Sequence, residues 1–186
     1  GRRVRKAALR SVMQAWIKRV TDGASGLVRV IGHVAAWSAL ALVLVVAFNV
    51  LARYLFSYGT VGLQEAEWHI MAVSALFGMS YGLNQGGEVR VDIFYGSMRP
   101  KSQALVDFVS NIALFLVALL IAWLCIAYVQ SSYAINEGSP DPGGLGYRYL
   151  LKAAMPVAFL LLALQAVAMI GHAALKLMTP LPERQE

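Results

Sequence analysis

Charge is scarce in this sequence: only 14% of its 186 residues are Asp, Glu, Lys or Arg, while 59% are hydrophobic. A soluble domain carries about 25% charged residues, so the deficit excludes an ordinary water-facing surface over much of the chain and implies lipid as its neighbour. Cysteine is nearly missing. The single Cys125 lies inside an apolar run, can form no disulfide within the chain, and reads as a small buried hydrophobe. No nucleophile–base pair, no metal-ligand spacing and no phosphate-binding glycine loop can be found. The expectation is therefore a protein that is not an enzyme and carries no metal or cofactor. The net charge of +6 raises nucleic acid as a partner. Most of the basic residues, however, precede the first apolar run, where they act as a topology signal and an attraction for anionic lipid. No nucleic-acid partner is expected. A secretory signal peptide is not expected either, because the first long apolar run exceeds a signal core. The sequence opens at Gly1 rather than Met, which fits a trimmed start.

Four apolar stretches are present: His33 to Leu51, Trp68 to Leu83, Phe108 to Gln130 and Ala153 to Leu175. A helix needs ~20 apolar residues to cross ~30 Å of hydrocarbon. A charge at its centre costs ~2.5–3.5 kcal/mol, and all four cores avoid one. The second is the most polar, with Gly78, Ser80, Gly82 and Asn84, small residues that let helices approach closely. The basic residues then give the orientation. Thirteen Lys and Arg lie before the first stretch, between the second and third, and after the fourth; only Arg53, Arg148 and Lys152 lie on the other side. The positive-inside rule places both termini and the middle loop in the cytoplasm. The expected fold is an all-α membrane protein of four transmembrane helices plus short interfacial amphipathic helices. Its expected organisation is a basic cytoplasmic or interfacial segment over 1–30, a transmembrane domain over 31–178 and a cytoplasmic tail over 179–186.

Between Ser11 and Val20, the residues Val12, Met13, Trp16, Ile17 and Val20 share one helical face, which fits a helix lying in the inner interface. The segment Glu88 to Lys101, closed by Pro100, reads as a second short interfacial helix or turn. The stretch Asn136 to Gly144 is rich in turn formers and excludes helix. Pro156 falls early in the fourth stretch, where it kinks the helix or sits in its first turns.

Few polar groups can carry chemistry. Arg53 ends the first span, and Glu65 and Glu67 begin the second on the same surface, so an Arg–Glu ion pair is sterically cheap; solvated charges are the bland alternative. Asn49 and Gln165 fit cross-helix hydrogen bonds worth ~0.6–2 kcal/mol, with ion coordination the sharper but weakly supported reading. His33 and His172 lie near one face and His69 near the other. They raise a haem-binding cytochrome b-type anchor, although ordinary interfacial histidines explain them as well. A self-contained small carrier needs an intramembrane ionisable group or broken helices at its midplane, and the cores offer neither.

Three stretches resemble the DctQ-type small membrane subunit of tripartite ATP-independent periplasmic (TRAP) transporters. They are Asn49-Val50-Leu51-Ala52-Arg53-Tyr54-Leu55-Phe56 with Gln64-Glu65 and Trp68; Gly78 through Tyr95, ending in Val89-Arg90-Val91-Asp92-Ile93-Phe94-Tyr95; and Glu137-Gly138-Ser139-Pro140-Asp141-Pro142-Gly143-Gly144-Leu145 with Arg148 to Lys152, Pro156 and Leu164-Gln165. Glu88 departs from the pattern, which usually has His there. The resemblance implies a scaffold subunit of a sodium-coupled symporter for a small organic acid, in the bacterial inner membrane. Its implied partners are a large membrane subunit that holds the transport site and a periplasmic binding protein that delivers substrate. The implied structural or interface residues are Asn49, Arg53, Glu65, Trp68, Arg90, Asp92, Glu137, Arg148, Lys152 and Gln165.

Overall fold

A computed structural model describes residues 2–87 and 95–178, with side chains from residue 11 onward. Arg90, Asp92, most of the expected interfacial segment from Glu88 and the tail from 179 lie outside the described residues. The described chain is helical: α1 Arg2–Phe56, α2 Val61–Asn84, α3 Pro100–Ala134 and α4 Arg148–Met178. Each of the four apolar stretches falls inside one of these helices. Three of them, α1 from Ser11, α3 and α4, are long and apolar enough to cross a membrane by length and composition. The second helix is not among the three. Its first two turns carry Gln64, Glu65 and Glu67, His69 follows in the third, and Asn84 closes it.

The largest departure from expectation is α1. It runs unbroken for 55 residues, about 80 Å at ~1.5 Å per residue. No separate interfacial helix forms over Ser11–Val20; that segment is the early part of α1, and the 30/31 boundary falls within it. The reason lies in the buried seam. Thr21, Val28, Ala35 and Asn49 recur at multiples of seven residues, with Ala24 and Ala52 three residues after a seam position, and all six are buried. A seam of this period keeps one helical face against its neighbours from Thr21 to Ala52. Gly23, Gly26 and Gly32 interrupt the sequence but not the helix, since each costs only ~1 kcal/mol, and no proline occurs before Pro100.

Local chemistry sets the other ends. Thr60 caps α2, its hydroxyl accepting from the Leu63 amide at 3.2 Å. Pro100 opens α3 rather than only closing the preceding segment. It suits that position because the first amides of a helix have no intrahelical acceptor. The third helix stops at Ala134, and Asn136 follows with φ 46°, a left-handed conformation that Asn tolerates. Pro156 lies inside α4, so the Lys152 carbonyl receives no helical amide, yet the helix continues to Met178.

The fourth helix is the hub. It packs against α1, α2 and, most extensively, α3, while α1 and α2 form the other close pair. Its buried positions include Ala158, Ala163, Ala166, Ala168 and Ala173, small side chains that let neighbouring backbones come close. Gly171 shows how close: a Cβ there would collide with the Thr21 hydroxyl of α1. The outward faces are apolar instead. Val34, Trp37 and Phe48 on α1, and Leu116, Leu120 and Trp123 on α3, are all exposed. So large an apolar surface marks a membrane or a protein partner.

Candidate functional site

The polar side chains of the bundle gather into two groups. The first sits at the end where α1 turns into α2 and α3 into α4, hereafter the loop end. Glu65, in the first turns of α2, is 8% exposed although it is a carboxylate. Burial of a charge is tolerated only when its lone pairs are filled, and here they are. The Ser139 hydroxyl and the Arg148 guanidinium (3.2 Å) donate to Oε1, and the Leu145 amide donates to Oε2 at 2.6 Å. All three donors come from residues 139–148, so α2 is fastened to the connection between α3 and α4 and to the first residue of α4.

A second carboxylate works beside it. Glu137 accepts from Ser132 at 2.6 Å and from the Lys152 ammonium. Its carbonyl accepts the Arg148 amide at 2.9 Å, and its amide donates to the Ser132 carbonyl at 3.1 Å. Lys152 also lies 4.1 Å from the centre of the Tyr128 ring, a cation–π contact. The connection folds on itself as well: the Ser139 amide donates to the Leu145 carbonyl (3.0 Å) and the Gly144 amide to the Asp141 carbonyl (3.0 Å). Gly144 has to be glycine, because a Cβ would strike Ser139 and the Glu65 carboxylate. Below this knot an apolar groove of about 530 Å³ runs between α2 and α4, walled by Trp68, Ala72, Leu76, Met79, Leu151 and Met155.

The second group links helices through amide and hydroxyl side chains, one of them bonded to a carboxylate. The Asn49 amide donates to Glu67 at 2.7 Å; its carbonyl oxygen is buried without a hydrogen-bond partner. Ser38 and Ser74 share a 2.7 Å hydrogen bond between α1 and α2. Towards the end opposite the loops, Asn84 donates to Gln165 (3.1 Å) and to the Ser25 carbonyl (3.3 Å), joining α2 to α4 and α1. Asn49 and Gln165, read from sequence as cross-helix hydrogen-bonding amides, are therefore both in that role.

The expected Arg53–Glu65 pair does not form. Glu65 pairs with Arg148, while Arg53 is exposed at the end of α1 with no ion pair to a described residue. Helix geometry explains it. Glu67 faces α1 through Asn49, and residues 65 and 67 lie about 200° apart around α2, which turns Glu65 away from α1 and towards α4. Glu137, Arg148 and Lys152 join Glu65 in the knot. Trp68 is 71% exposed and lines the groove. Sequence reasoning missed Ser132, Ser139 and the Leu145 amide. The available signal was a run of turn formers long enough to wrap over a carboxylate.

The family described as tripartite ATP-independent periplasmic transporters, DctQ component, matches residues 42–175, well over half of the chain. No curated protein matches it. The family match gives no support to a cytochrome b-type anchor or to a self-contained carrier. Its span contains the whole loop-end knot and the Asn49–Glu67 and Asn84–Gln165 bonds.

Proposed function

The chain belongs to the DctQ components of tripartite ATP-independent periplasmic transporters, small membrane subunits of these transport systems, and from that premise we propose that it is the scaffold of a sodium-coupled symporter for a small organic acid. In this reading it braces a large membrane subunit, which holds the substrate and sodium sites, and a periplasmic binding protein supplies the substrate. All four helices cross the bacterial inner membrane, with both termini and the 85–99 connection in the cytoplasm and the loop end in the periplasm. The segment over 1–30 is basic and cytoplasmic or interfacial, 31–178 form the membrane domain, and 179–186 the tail. Asn49, Arg53, Glu65, Trp68, Arg90, Asp92, Glu137, Arg148, Lys152 and Gln165 serve structure or the partner interface.

One observation carries the scaffold reading. The polar groups along the helices are spent on neighbouring helices, in the Ser38–Ser74, Asn49–Glu67 and Asn84–Gln165 bonds, while the outward faces of α1 and α3 are apolar. Selective binding of a solute or an ion needs polar groups converging on one cavity. The groups of these three cross-helix bonds are dispersed along the bundle and already engaged. The test is reconstitution in liposomes with a sodium gradient and the matching binding protein. The large subunit and this chain together should take up substrate, the large subunit alone should be inactive or unstable, and this chain alone should move nothing. Sodium-driven uptake by this chain alone would overturn the reading. Reporter fusions after Glu186 and near Gly143 test the topology; a periplasmic signal from the first would reverse it.

A further inference from the structure

At the end opposite the loops, α1, α2 and α4 enclose a cavity of about 480 Å³ that the loop-end knot and the helix seams do not use. It lies between Asp22, Ser25, Arg29, Asn84, Gln165 and His172. Its floor is neutral and bonded: Gln165 is 3% exposed, and the Asn84 amide ties it to Ser25. Its rim is ionisable. The side chains of Asp22, Arg29 and His172 are exposed and make no hydrogen bond or ion pair to a described residue. Asp22 and Arg29 lie on one face of α1, two turns apart, or about 10 Å along the axis. They flank the cavity rather than neutralise each other.

We propose that this cavity binds the headgroup of an aminophospholipid, a phosphate diester bearing a primary ammonium. The order of groups along α1 carries the assignment. Outside the cavity and nearer the centre of the apolar run stand the exposed Val30 and Val34; next comes the Arg29 cation, with His172 facing from α4; furthest out is the Asp22 carboxylate. An aminophospholipid presents the same sequence along the bilayer normal: acyl chains, phosphate, ammonium. Arg29 and His172 hold the phosphate through charge-assisted hydrogen bonds, and Asp22 takes the ammonium, above the bonded Asn84–Gln165 floor. A free phosphate would leave Asp22 facing an anion, so that carboxylate selects for the amine. This inference rests on the membrane-inserted reading of α1, but not on transport.

The experiment uses the full chain, delipidated in detergent and titrated with phosphatidylethanolamine, phosphatidylglycerol or phosphatidylcholine of identical acyl chains, with bound lipid counted by native mass spectrometry. One phosphatidylethanolamine should be retained in preference to the other two. Arg29→Gln should weaken its retention about tenfold, the loss of one charge-assisted hydrogen bond, and Arg29→Lys should restore much of it. Asp22→Asn should still bind phospholipid but no longer prefer phosphatidylethanolamine over phosphatidylglycerol. Both positions are exposed, and unchanged helicity by circular dichroism verifies folding of each variant. Equal retention of all three lipids by the native chain, or unchanged selectivity in Asp22→Asn, would overturn the proposal. So would equally tight binding of soluble glycerophosphoethanolamine, which would assign the cavity to a free metabolite. A chain that fails to insert into membranes at all would instead overturn the membrane reading, an outcome recognisable from fractionation before any lipid is counted.

Discussion

At the loop end, Glu65 and Glu137 are each tied to a cation and a hydroxyl; at the opposite end Asn84 bonds across to the neutral Gln165 amide and the Ser25 carbonyl, and the nearby side chains of Asp22 and Arg29 pair with no described residue at the rim. The contrast follows from what each end has to offer. The loop end has a chain segment, residues 135–147, that can fold its own amide and hydroxyl donors over a carboxylate, so a partly buried charge is affordable there. At the other end the described bonds between α2 and its neighbours α1 and α4 come from a side-chain amide, Asn84, which reaches the Gln165 amide and the Ser25 carbonyl without a charge to desolvate. The loop end is thus fastened by many directed bonds that share a few residues, and the opposite end by close packing plus a few weak ones.

If that is right, the largest single loss comes from removing the hub of the charged knot. Glu65→Ala leaves Ser139, the Leu145 amide and Arg148 without their common acceptor, and should lower the melting temperature of the purified chain by several degrees. It should also open the 139–145 segment to proteolysis. A silent Glu65→Ala would mean that the knot is solvated and that the two ends do not differ. At the opposite end, packing is the stronger bond. Gly171→Val has to displace Thr21, which is 2% exposed and has little room to yield; overpacking of this kind costs ~1–3 kcal/mol. Gly26→Ala is the control on the same helix pair, because a Cβ there meets nothing within 4 Å. It should be neutral or stabilising by ~0.5–1 kcal/mol.

The loop-end knot should also respond to acid. Hydrogen bonds from Lys152, first, and from Ser132 hold the Glu137 carboxyl below the usual carboxylate range, against a smaller opposing effect of burial. A carboxyl whose folded value is depressed adds stability that is complete above its unfolded value, about pH 4.3, and is lost as pH falls through the lowered folded value. Thermal melts of the native chain should therefore fall off on the acid side of pH 4.3 in part through this group. Glu137→Gln should be less stable at neutral pH and should lack that part of the acid limb; an identical pH profile for the two would show that Glu137 is not held by Lys152.

Parts of this arrangement were legible in the sequence and parts were not, for physical reasons. The four helix cores follow from hydropathy alone, because each is a local run. Asn49 and Gln165 were readable as cross-helix amides because an amide in an apolar helix has few other options. The continuity of α1 was not readable from local composition: Lys18, Arg19, Asp22 and three glycines look like a boundary. The seam that carries the helix through is a seven-residue recurrence of Thr21, Val28 and Ala35 that shows only when burial is known. The partner of Glu65 was hidden by distance along the chain, since Arg148 lies 83 residues away. Arg53 was nearer and therefore more visible. The amide link gives the next smaller test. Asn84→Ala and Gln165→Leu, singly and together, should show a coupling of ~0.6 kcal/mol, the average for such hydrogen bonds inside membranes. A coupling above ~2 kcal/mol would place the two ends on an equal footing.

The smallest expected effect is the most discriminating. Arg53 and Glu65 face each other across a short turn in sequence, and a charge swap between them is the natural experiment for an ion pair. The helical phase of α2 argues against it: Glu67 takes the α1-facing position and bonds Asn49, leaving Glu65 to Arg148. Arg53→Glu should then change the stability of the isolated chain by no more than ~0.5 kcal/mol, as for any exposed charge outside a bonded network. The double variant Arg53→Glu with Glu65→Arg should be as unstable as Glu65→Arg alone. Swapping Glu65 with Arg148 instead should recover part of the loss, but only part, because an arginine cannot accept from Ser139 or from the Leu145 amide. Thermal melts of the five chains, the native one included, decide it: rescue through Arg53 but not through Arg148 would move Glu65 to the α1 side and dissolve the distinction between a charged end held by its loop and a neutral end held by its helices.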